Sequence, residues 1–435
     1  MKSTHTIRRK ELAAAISMLL AFPGMAIAQD QTSDQAAEDE MITEEVVVTG
    51  IRRGLMNSVD IKGTSTSIVE AISAEDIGKL PDVSITDSLA RLPGVTAQRL
   101  NGRSQVLSVR GLGPDFTTAL LNGRPQVSSG DNRGVEFDQY PSEMISQAIV
   151  YKTPDATLMG QGLAGTVDMQ TIRPLAYGKQ ALVANARYIW NDIDALNDDA
   201  SDDGWRGSFT YVDQFMDDTF GVAFGIAYAD TPTQSERYNA WGYPDVDGNA
   251  VIGGAKPFAQ SNELERTGII GTLEWQVSDR VNTSLDLYYT DFQETQYLRG
   301  IELPLQWSSA QLQPGYKVED GLITSGTFDN VKGVMRNDLN QRESELLAAG
   351  WNVSWDVGDS WVLTGDLSYS SMERNDVLLE TYSGTGPNGE PEFDSLGFQM
   401  RSGQGALFSS ILDYTDPNLV MLTSPQGWGG DIVPG

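Results

Sequence analysis

The sequence predicts a mostly β protein in two parts, a compact α+β domain at residues 51–176 and an antiparallel sheet at residues 177–435. The first part is predicted by short helical and strand-like segments that are separated by Gly-rich turns. The second part is predicted by segments of about ten residues in which bulky apolar residues alternate with small or polar ones. Short and long connections alternate between these segments, which is the pattern of an antiparallel β-barrel that crosses an outer membrane.

The first 28 residues have the features of a secretory signal peptide. Basic residues (Lys2 and Arg8 to Lys10) precede an apolar stretch, Leu12 to Ile27, which ends in the small-x-small site Ala26-Ile27-Ala28. A transmembrane anchor is the alternative, but Pro23-Gly24 interrupts the stretch and it is short for a span. We therefore predict secretion, followed by a disordered acidic leader at residues 29–43.

Composition excludes several classes of function. The whole chain carries a net charge of −30, and the net +3 of residues 1–28 leaves −33 for the remainder, which opposes nucleic-acid binding. There is no cysteine, and the single histidine is His5, inside the predicted signal peptide. A Ser-His-Asp triad, a thiol nucleophile and the usual zinc sites are therefore ruled out for the mature chain. Carboxylate chemistry such as glycoside hydrolysis remains open.

Residues 44–50, EEVVVTG, form a short β-prone run directly after the acidic leader. An unpaired strand of this kind is available for pairing with another chain, and main-chain hydrogen bonds would supply the affinity. We predict that a partner binds this run by strand addition. The residues concerned are Glu44, Glu45, Val46, Val47, Val48, Thr49 and Gly50. The alternative is that the run is the first strand of the domain that follows.

Two helices and three strands are predicted in the first domain. SAEDIGKL, 73–80, reads as a helix with Ser73 as its N-cap, and SITDSLARLPG, 84–94, as a second helix that is capped by Ser84 and ended by Pro93-Gly94. The predicted strands are at residues 94–100, 105–111 and 117–123.

Seven alternating segments, with a doubtful eighth at 399–410, are predicted as barrel strands. They lie at residues 181–190, 204–214, 219–230, 268–277, 281–290, 349–357 and 361–370. The short connections are 216–219, 278–280 and 358–360, and the long polar ones are 191–203, 231–263, 294–341 and 373–398. A soluble β-sandwich is the alternative. It explains less well why short and long connections alternate, and it does not explain the many aromatic residues at the apolar positions of the segments.

Seven or eight strands would close a barrel that its own side chains fill, too narrow for a domain of some hundred residues. The last residues, SPQGWGGDIVPG, are loop-like. We therefore expect a truncated sequence in which the barrel is incomplete.

Several motifs resemble those of the TonB-dependent outer-membrane receptors, along nearly the whole mature chain. EEVVVTG is similar to their TonB box, and LARLPGV, LSVRGLG and ALLNGRP are similar to the plug domain. YKTPDATLMGQGLAGTVDMQTIRP resembles the closing segment of the plug, and DQYPSEMI is most similar to the branch linked to uptake of sugar oligomers. The resemblance implies an α+β plug followed by an antiparallel outer-membrane β-barrel, in contact with outer-membrane lipid and lipopolysaccharide. It also implies a monomer without a cofactor, the periplasmic protein TonB as partner, and active uptake of a scarce ligand, here an oligosaccharide.

One departure from the family pattern concerns the ionic contacts between plug and barrel. Members often carry RGP in the closing segment, whose Arg joins a second plug Arg in contacts to barrel glutamates. Arg110 fills the other position here, but the closing segment has Lys152. Because Lys lacks the planar fork of Arg, the resemblance implies a looser contact at this position, and its barrel partners need not lie within this sequence.

Candidate ligand-binding residues come from two regions. The loops 101–105 and 126–138 are expected at the outward apex of the plug, where polar side chains could bind a ligand: Asn101, Arg103, Gln105, Asp131, Asn132 and Arg133. Ordinary turn chemistry explains these residues equally well. Aromatic residues of the long connections could stack on sugar rings: Tyr238, Trp241, Tyr243 and Trp307. For these, an interfacial aromatic belt is the alternative.

The acidic runs NDDASDDG and DVDGN do not match a calcium-binding loop, so no metal site is predicted. Other readings of the whole chain stay open. They are a ferric-siderophore receptor of the same architecture, a passive porin or adhesin, and a carboxylate glycosidase built on a barrel.

Overall fold

The computed structural model describes residues 54–74, 84–100, 102–159, 161–385, 393–423 and 425–427. The predicted signal peptide, the leader, residues 44–50 and Asn101 lie outside these ranges. So does most of the helix expected at 73–80, although Ser73 is described as the last residue of a strand.

In its described residues, the first domain contains three α-helical segments and seven strands, besides short 3-10 turns at Pro114–Phe116, Phe137–Gln139 and Ser142–Met144. They are α1 (54–64), β1 (Val69–Ser73), α2 (Ile85–Leu89), β2 (Val95–Leu100), β3 (Arg103–Val109), β4 (Thr117–Leu121), β5 (Arg124–Pro125), β6 (Gln147–Tyr151), β7 (Gly165–Gln170) and α3 (Pro174–Tyr177). Five strands form a sheet in the order β1-β6-β7-β4-β5, in which only β4 and β7 run parallel. Strands β2 and β3 form a separate hairpin. The three strands expected in this domain are confirmed.

Helix α2 begins where the sequence predicts it. The Ser84 hydroxyl accepts a hydrogen bond from the backbone N–H of Thr86, which satisfies one of the free donors at the helix start. Ile85 and Leu89 are buried in the domain core together with Phe137 and Tyr140. The same core also contains three residues of the second part, Tyr288, Leu346 and Ala348. It therefore joins the two parts.

Sixteen strands lie in the described residues of the second part. They are β8 (Ala181–Trp190), β9 (Asp203–Phe215), β10 (Phe220–Ala240), β11 (Asp245–Val246), β12 (Asn249–Ala250), β13 (Gly254–Ser278), β14 (Val281–Pro304), β15 (Gln311–Leu312), β16 (Lys317–Glu319), β17 (Leu322–Val331), β18 (Val334–Val357), β19 (Trp361–Leu379), β20 (Ser383–Thr385), β21 (Asp394–Arg401), β22 (Gly405–Ser409) and β23 (Val420–Leu422). The long strands follow one another in the antiparallel order β8-β9-β10-β13-β14-β18-β19, and each contains one of the seven predicted segments. We call these seven strands the wall. The fold class predicted from the sequence is confirmed.

The two faces of the wall differ, as strand β10 illustrates. Phe224 and Ile226 are 40% and 38% exposed on the outer face, whereas Ala223 and Ala227 are buried on the inner face. A Cβ at Gly221, also on the inner face, would lie 2.9 Å from the side chain of Leu175 in the first domain. Small inner residues are therefore needed where the first domain lies against the wall.

Exposed aromatic side chains gather at the ends of the wall strands that adjoin the short turns. Phe215, Trp275, Trp355 and Trp361 are all exposed, and Phe220 pairs with both Phe215 and Trp275 across the ladder. Such a girdle is typical of strands that end at a membrane interface.

The long connections are shorter than the sequence predicts, because the strands continue beyond the alternating segments. Strands β10, β13, β14 and β18 have 21, 25, 24 and 24 residues, whereas a membrane crossing needs only about ten. About half of each strand therefore extends past the apolar band.

The remaining connecting residues build a smaller sheet rather than open loops. It has the order β11-β12-β17-β21-β22, with β15 and β16 also paired to β17, and we call it the outer sheet. Its own core includes Ile252, Leu305, Ile323 and Phe328. The doubtful eighth barrel segment, 399–410, is corrected: it lies in the β21–β22 hairpin of this sheet, because Gly403 and Gly405 turn the chain with positive φ.

Among the described residues, no helix is long and apolar enough to cross a membrane.

Candidate functional site

The first domain is held against the inner face of the wall by ion pairs that run in both directions. Arginines of the domain pair with carboxylates of the wall: Arg103 with Glu294 (2.8 Å), Arg124 with Asp286 (2.5 Å) and Asp366 (2.9 Å), and Arg173 with Asp286 (3.0 Å). Carboxylates of the domain pair with arginines of the wall: Glu143 with Arg206 (2.7 Å), Glu136 with Arg342 (3.5 Å) and Asp131 with Arg374 (3.1 Å). We call this interface the candidate site, because its pairs must break if the domain is to move.

Arg124 makes the most extensive of these contacts. It follows the Asn122-Gly123 turn at the start of β5 and is buried. Its Nε and Nη2 donate to the carboxylate of Asp366 (2.9 Å each), and its Nη1 donates to Asp286 (2.5 Å). Such a two-pronged pair is stronger and more directional than a single contact.

Glycine is required at position 350 of the wall for Arg124 to reach these partners. A Cβ at Gly350 would lie 2.4 Å from the Arg124 guanidinium, closer than atoms approach in proteins. The lack of a side chain at position 350 thus leaves the space that the Arg124 side chain occupies.

Asp286 also anchors the end of the first domain. Arg173 Nη1 donates to its Oδ1 (3.0 Å), and Thr272 donates to the same oxygen (3.1 Å). The backbone N–H of Leu175 donates to Glu274 (2.9 Å), so the start of α3 is fixed to β13 as well. One wall carboxylate therefore holds two arginines that are far apart in the chain.

Arg103 forms a second buried cluster. Its guanidinium donates to Asp138 (3.0 Å) within the domain, pairs with Glu294 (2.8 Å) in the wall and lies 5.5 Å from the ring centre of Phe292. Burial raises the pKa of Asp138 to about 6, and the nearby charge of Arg103 lowers that pKa only in part. Within the described part of the chain, Asp138 Oδ1 has no hydrogen-bond partner. Burial therefore outweighs the ion pair in setting this carboxyl's charge.

The ionic contacts of Arg110 and Lys152 to the barrel stay a prediction, because in the described residues the contacts of both side chains lie inside the first domain. Arg110 has a left-handed backbone (φ 54°) and donates to the carbonyls of Ala164 (3.1 Å) and Leu163 (3.3 Å). Lys152 pairs with Glu70 (3.2 Å), which also binds Lys62 (2.7 Å). Burial raises the pKa of Glu70, but the two lysines lower it further, and the net pKa is below its usual value. Both contacts lie within the first domain.

The structure places the polar candidates for ligand binding in different environments. Arg103 pairs with Glu294 and Asp131 with Arg374, so both belong to the interface, whereas Gln105 is buried in β3. Asp131, Asn132 and Arg133 are exposed in the loop between β5 and β6. Asn132 accepts a hydrogen bond from the backbone of Gly134 (3.1 Å), which is turn chemistry.

The aromatic candidates lie at the far end of the wall strands from the short turns. Trp241 lies over Lys256, with 5.4 Å between the ammonium and the ring centre. Trp307 is 59% exposed and packs across Gly242, whose neighbour Tyr243 is 48% exposed. Tyr238 is elsewhere, against Gly405 of β22. The structure thus brings Trp307 to the turn that carries Trp241 and Tyr243.

Sequence reasoning missed Arg124, Asp286, Asp366 and Glu294 as interface residues. The sequence did contain a signal for the carboxylates. They alternate with the outward apolar residues of membrane-type strands and therefore point inward, where an ionised group needs a partner. No group of three or more His, Cys, Asp or Glu in the described ranges is placed to hold a metal ion.

Comparisons with known proteins identify the first domain. Residues 62–167 match the family model of the TonB-dependent Receptor Plug Domain. No curated protein sequence matches the chain.

Solved structures that are similar to this chain include three receptors or transporters. The siderophore receptor PirA from Pseudomonas aeruginosa is 16% identical (TM-score 0.32), with 77% of this chain and 64% of that chain covered. The outer membrane transporter YddB from Escherichia coli is 14% identical (TM-score 0.34; 79% and 57% covered). The ferric citrate transporter FecA is 12% identical (TM-score 0.34; 80% and 63% covered). The present chain thus spans less than two thirds of the length of each.

Proposed function

We propose that the chain is part of a TonB-dependent outer-membrane receptor that takes up a scarce ligand actively. The observation that carries this proposal is the ion-paired packing of a plug-family domain, residues 62–167, on the inner face of a membrane-type wall. The apolar outer face and the aromatic girdle support a location in the bacterial outer membrane. The chain then acts as a transporter and not as an enzyme.

In this proposal, residues 44–50 are the TonB box and pair with TonB by strand addition. Force on that segment reaches the plug through α1 and β1, since these are the first elements after it. Releasing a ligand that is bound with micromolar to nanomolar affinity requires roughly 8 to 12 kcal/mol. One proton that crosses a gradient of about 100 mV supplies roughly 2.3 kcal/mol. Several protons per transported ligand are therefore needed.

We further propose an oligosaccharide as the ligand. Exposed aromatic rings, Tyr243 and Trp307, lie at the outer end of the wall, where they could stack on sugar rings. The acidic composition of the chain argues against an anionic iron chelate, because like charges repel. A ferric-siderophore receptor of the same architecture is the alternative.

Deletion of residues 44–50 tests the transport proposal. Energised uptake should be lost, whereas ligand binding and the amount of protein in the outer membrane should be unchanged. Deletion of seven leader residues, 31–37, is the matched control and should leave uptake intact. Uptake that survives the first deletion would indicate a passive porin or adhesin, and breakdown of oligosaccharide by the purified protein would indicate a glycosidase.

A further inference from the structure

The outer sheet carries an open, surface-facing cavity of about 490 Å³, and none of its lining residues belongs to the interface with the plug. Its walls come from the β11–β12 hairpin, from the chain just before β15, and from β15 and the turn after it. The lining residues are Val246, Asp247, Gln306, Ala310, Gln311, Leu312, Pro314 and Tyr316. The volume is within the range of small-molecule sites, about 300 to 1,000 Å³.

The polar groups around this cavity are held by rigid local structure. Asp247 and Gly248 have φ of 52° and 81°, and they form the tight two-residue turn between β11 and β12. The Tyr316 hydroxyl donates to Asp247 Oδ2 (3.4 Å). The backbone of Gln311 is held by its pairing with Asp329 of β17, and its side chain is exposed. The backbone around the cavity is therefore ordered by sheet pairing and by a tight turn.

The chemistry of the lining is that of a site for a neutral, hydroxyl-rich ring. Val246, Leu312 and Pro314 offer apolar surface, which matches the C–H faces of a sugar. Two amides, one carboxylate and one phenol can donate to or accept from hydroxyl groups, and no lining residue is cationic. Gln306 directly precedes Trp307, whose exposed ring lies against Gly242 and Gly253.

We infer that this cavity binds one neutral saccharide unit and is an outer docking position for an oligosaccharide. The inference rests on the proposed function, whose ligand it specifies. The carboxylate of Asp247 disfavours sulfated or uronic sugars as well as anionic chelates, because it would repel them.

Binding measurements on the purified full-length chain in detergent test this inference. The probes are neutral gluco-, xylo-, manno- and galacto-oligosaccharides, titrated calorimetrically. We expect at least one series to bind, and we expect Asp247→Asn and Gln311→Ala each to raise its Kd about tenfold through a lost hydrogen bond.

Two matched controls keep the test specific. Asp320→Asn changes an aspartate in another Asp-Gly turn of the outer sheet (φ 49° and 77°), and Gln404→Ala changes an exposed glutamine of the β21–β22 turn. Both should bind like the unaltered chain. Absence of binding to all four series, or equal effects of test and control variants, would overturn the inference.

Failure of the cavity inference is distinguishable from failure of the transport proposal. The chain without residues 44–50 should still bind the oligosaccharide with unchanged Kd, because the cavity lies in the outer sheet. If no saccharide binds but this deletion still abolishes uptake of another ligand, only the cavity assignment is wrong.

Discussion

Two regions of the plug domain are held in different ways. The N-terminal region, residues 54–74, is attached to the rest of the plug through the β1–β6 ladder, Lys62–Glu70–Lys152 and a hydrogen bond from Ser67 to Asp155 (2.6 Å). The later region, residues 103–175, is attached to the wall through Arg103, Arg124 and Arg173. In the described ranges, the ion pairs of the first region stay inside the plug, whereas those of the second cross to another part of the molecule. The first region can therefore separate from the plug without breaking any of these pairs to the wall.

Arg124→Ala is the strongest test of the anchoring of the later region. It removes the two-pronged partner of Asp366 and one of the two arginines that bind Asp286, and we expect the free energy of unfolding to fall by about 3 to 5 kcal/mol. Urea denaturation followed by tryptophan fluorescence measures the change. Arg99→Ala is the control, since Arg99 pairs with Asp87 at an exposed position, and it should cost less than about 1 kcal/mol. Equal effects of the two substitutions would contradict the anchoring role.

Gly350→Ala should lower the free energy of unfolding by about 1 to 3 kcal/mol, because the new methyl group displaces the Arg124 guanidinium. In an Arg124→Ala background the same change should cost almost nothing. A double-mutant cycle measures this coupling. Gly365→Ala is the control, because a Cβ there meets nothing within 4 Å. Additive effects of Gly350→Ala and Arg124→Ala would argue against the proposed steric cause.

Asp138 predicts a pH dependence of the later region. Its pKa is raised from 3.8 to about 6 by burial, so its effect on stability is favourable below pH 3.8 and is lost as pH rises through 6. Relative to Asp138→Asn, the unaltered protein should therefore lose about 1 to 2 kcal/mol between pH 4 and pH 7. Denaturation at a series of pH values gives both curves. Parallel curves would show that Asp138 is already ionised throughout.

Glu70→Gln should have the smallest effect on global stability, about 1 kcal/mol, because the Glu70 side chain is not deeply buried. Its local effect should be larger. We expect faster hydrogen exchange in residues 54–73 and unchanged exchange in 103–175. Thr64→Val is the control, since its hydroxyl binds only carbonyls of its own helix. Faster exchange in both regions would mean that the plug opens as a single unit.

The seven wall strands could be predicted because their pattern is local. An apolar outer face and an inner face of small or polar residues that meets the plug impose an alternation that about ten consecutive residues already reveal. The strand extensions were missed because this alternation of apolar residues does not continue into them. The outer sheet was missed for a related reason: β11, β12, β15 and β16 have only two or three residues each.

The interface was harder to predict than the strands. Arg124 and Asp366 are 242 residues apart in the chain, and no local pattern relates them. The resemblance to a family indicated that plug arginines meet barrel carboxylates, but it pointed to Arg110 and Lys152. The left-handed backbone of Arg110 directs its side chain to Ala164 and Leu163 instead. Such a backbone angle is not visible in the sequence around an Arg-Gly pair.

In the proposed mechanism, the first ion pair to the wall limits how much of the plug a pull from the N-terminus can release. Among the described residues that pair is Arg103 with Glu294, which comes before the two arginines on Asp286. The released length would be the 49 residues from 54 to 102, or about 160 Å at roughly 3.3 Å per residue. Further release would first require this ion pair to break, and only then the pairs of Arg124 and Arg173.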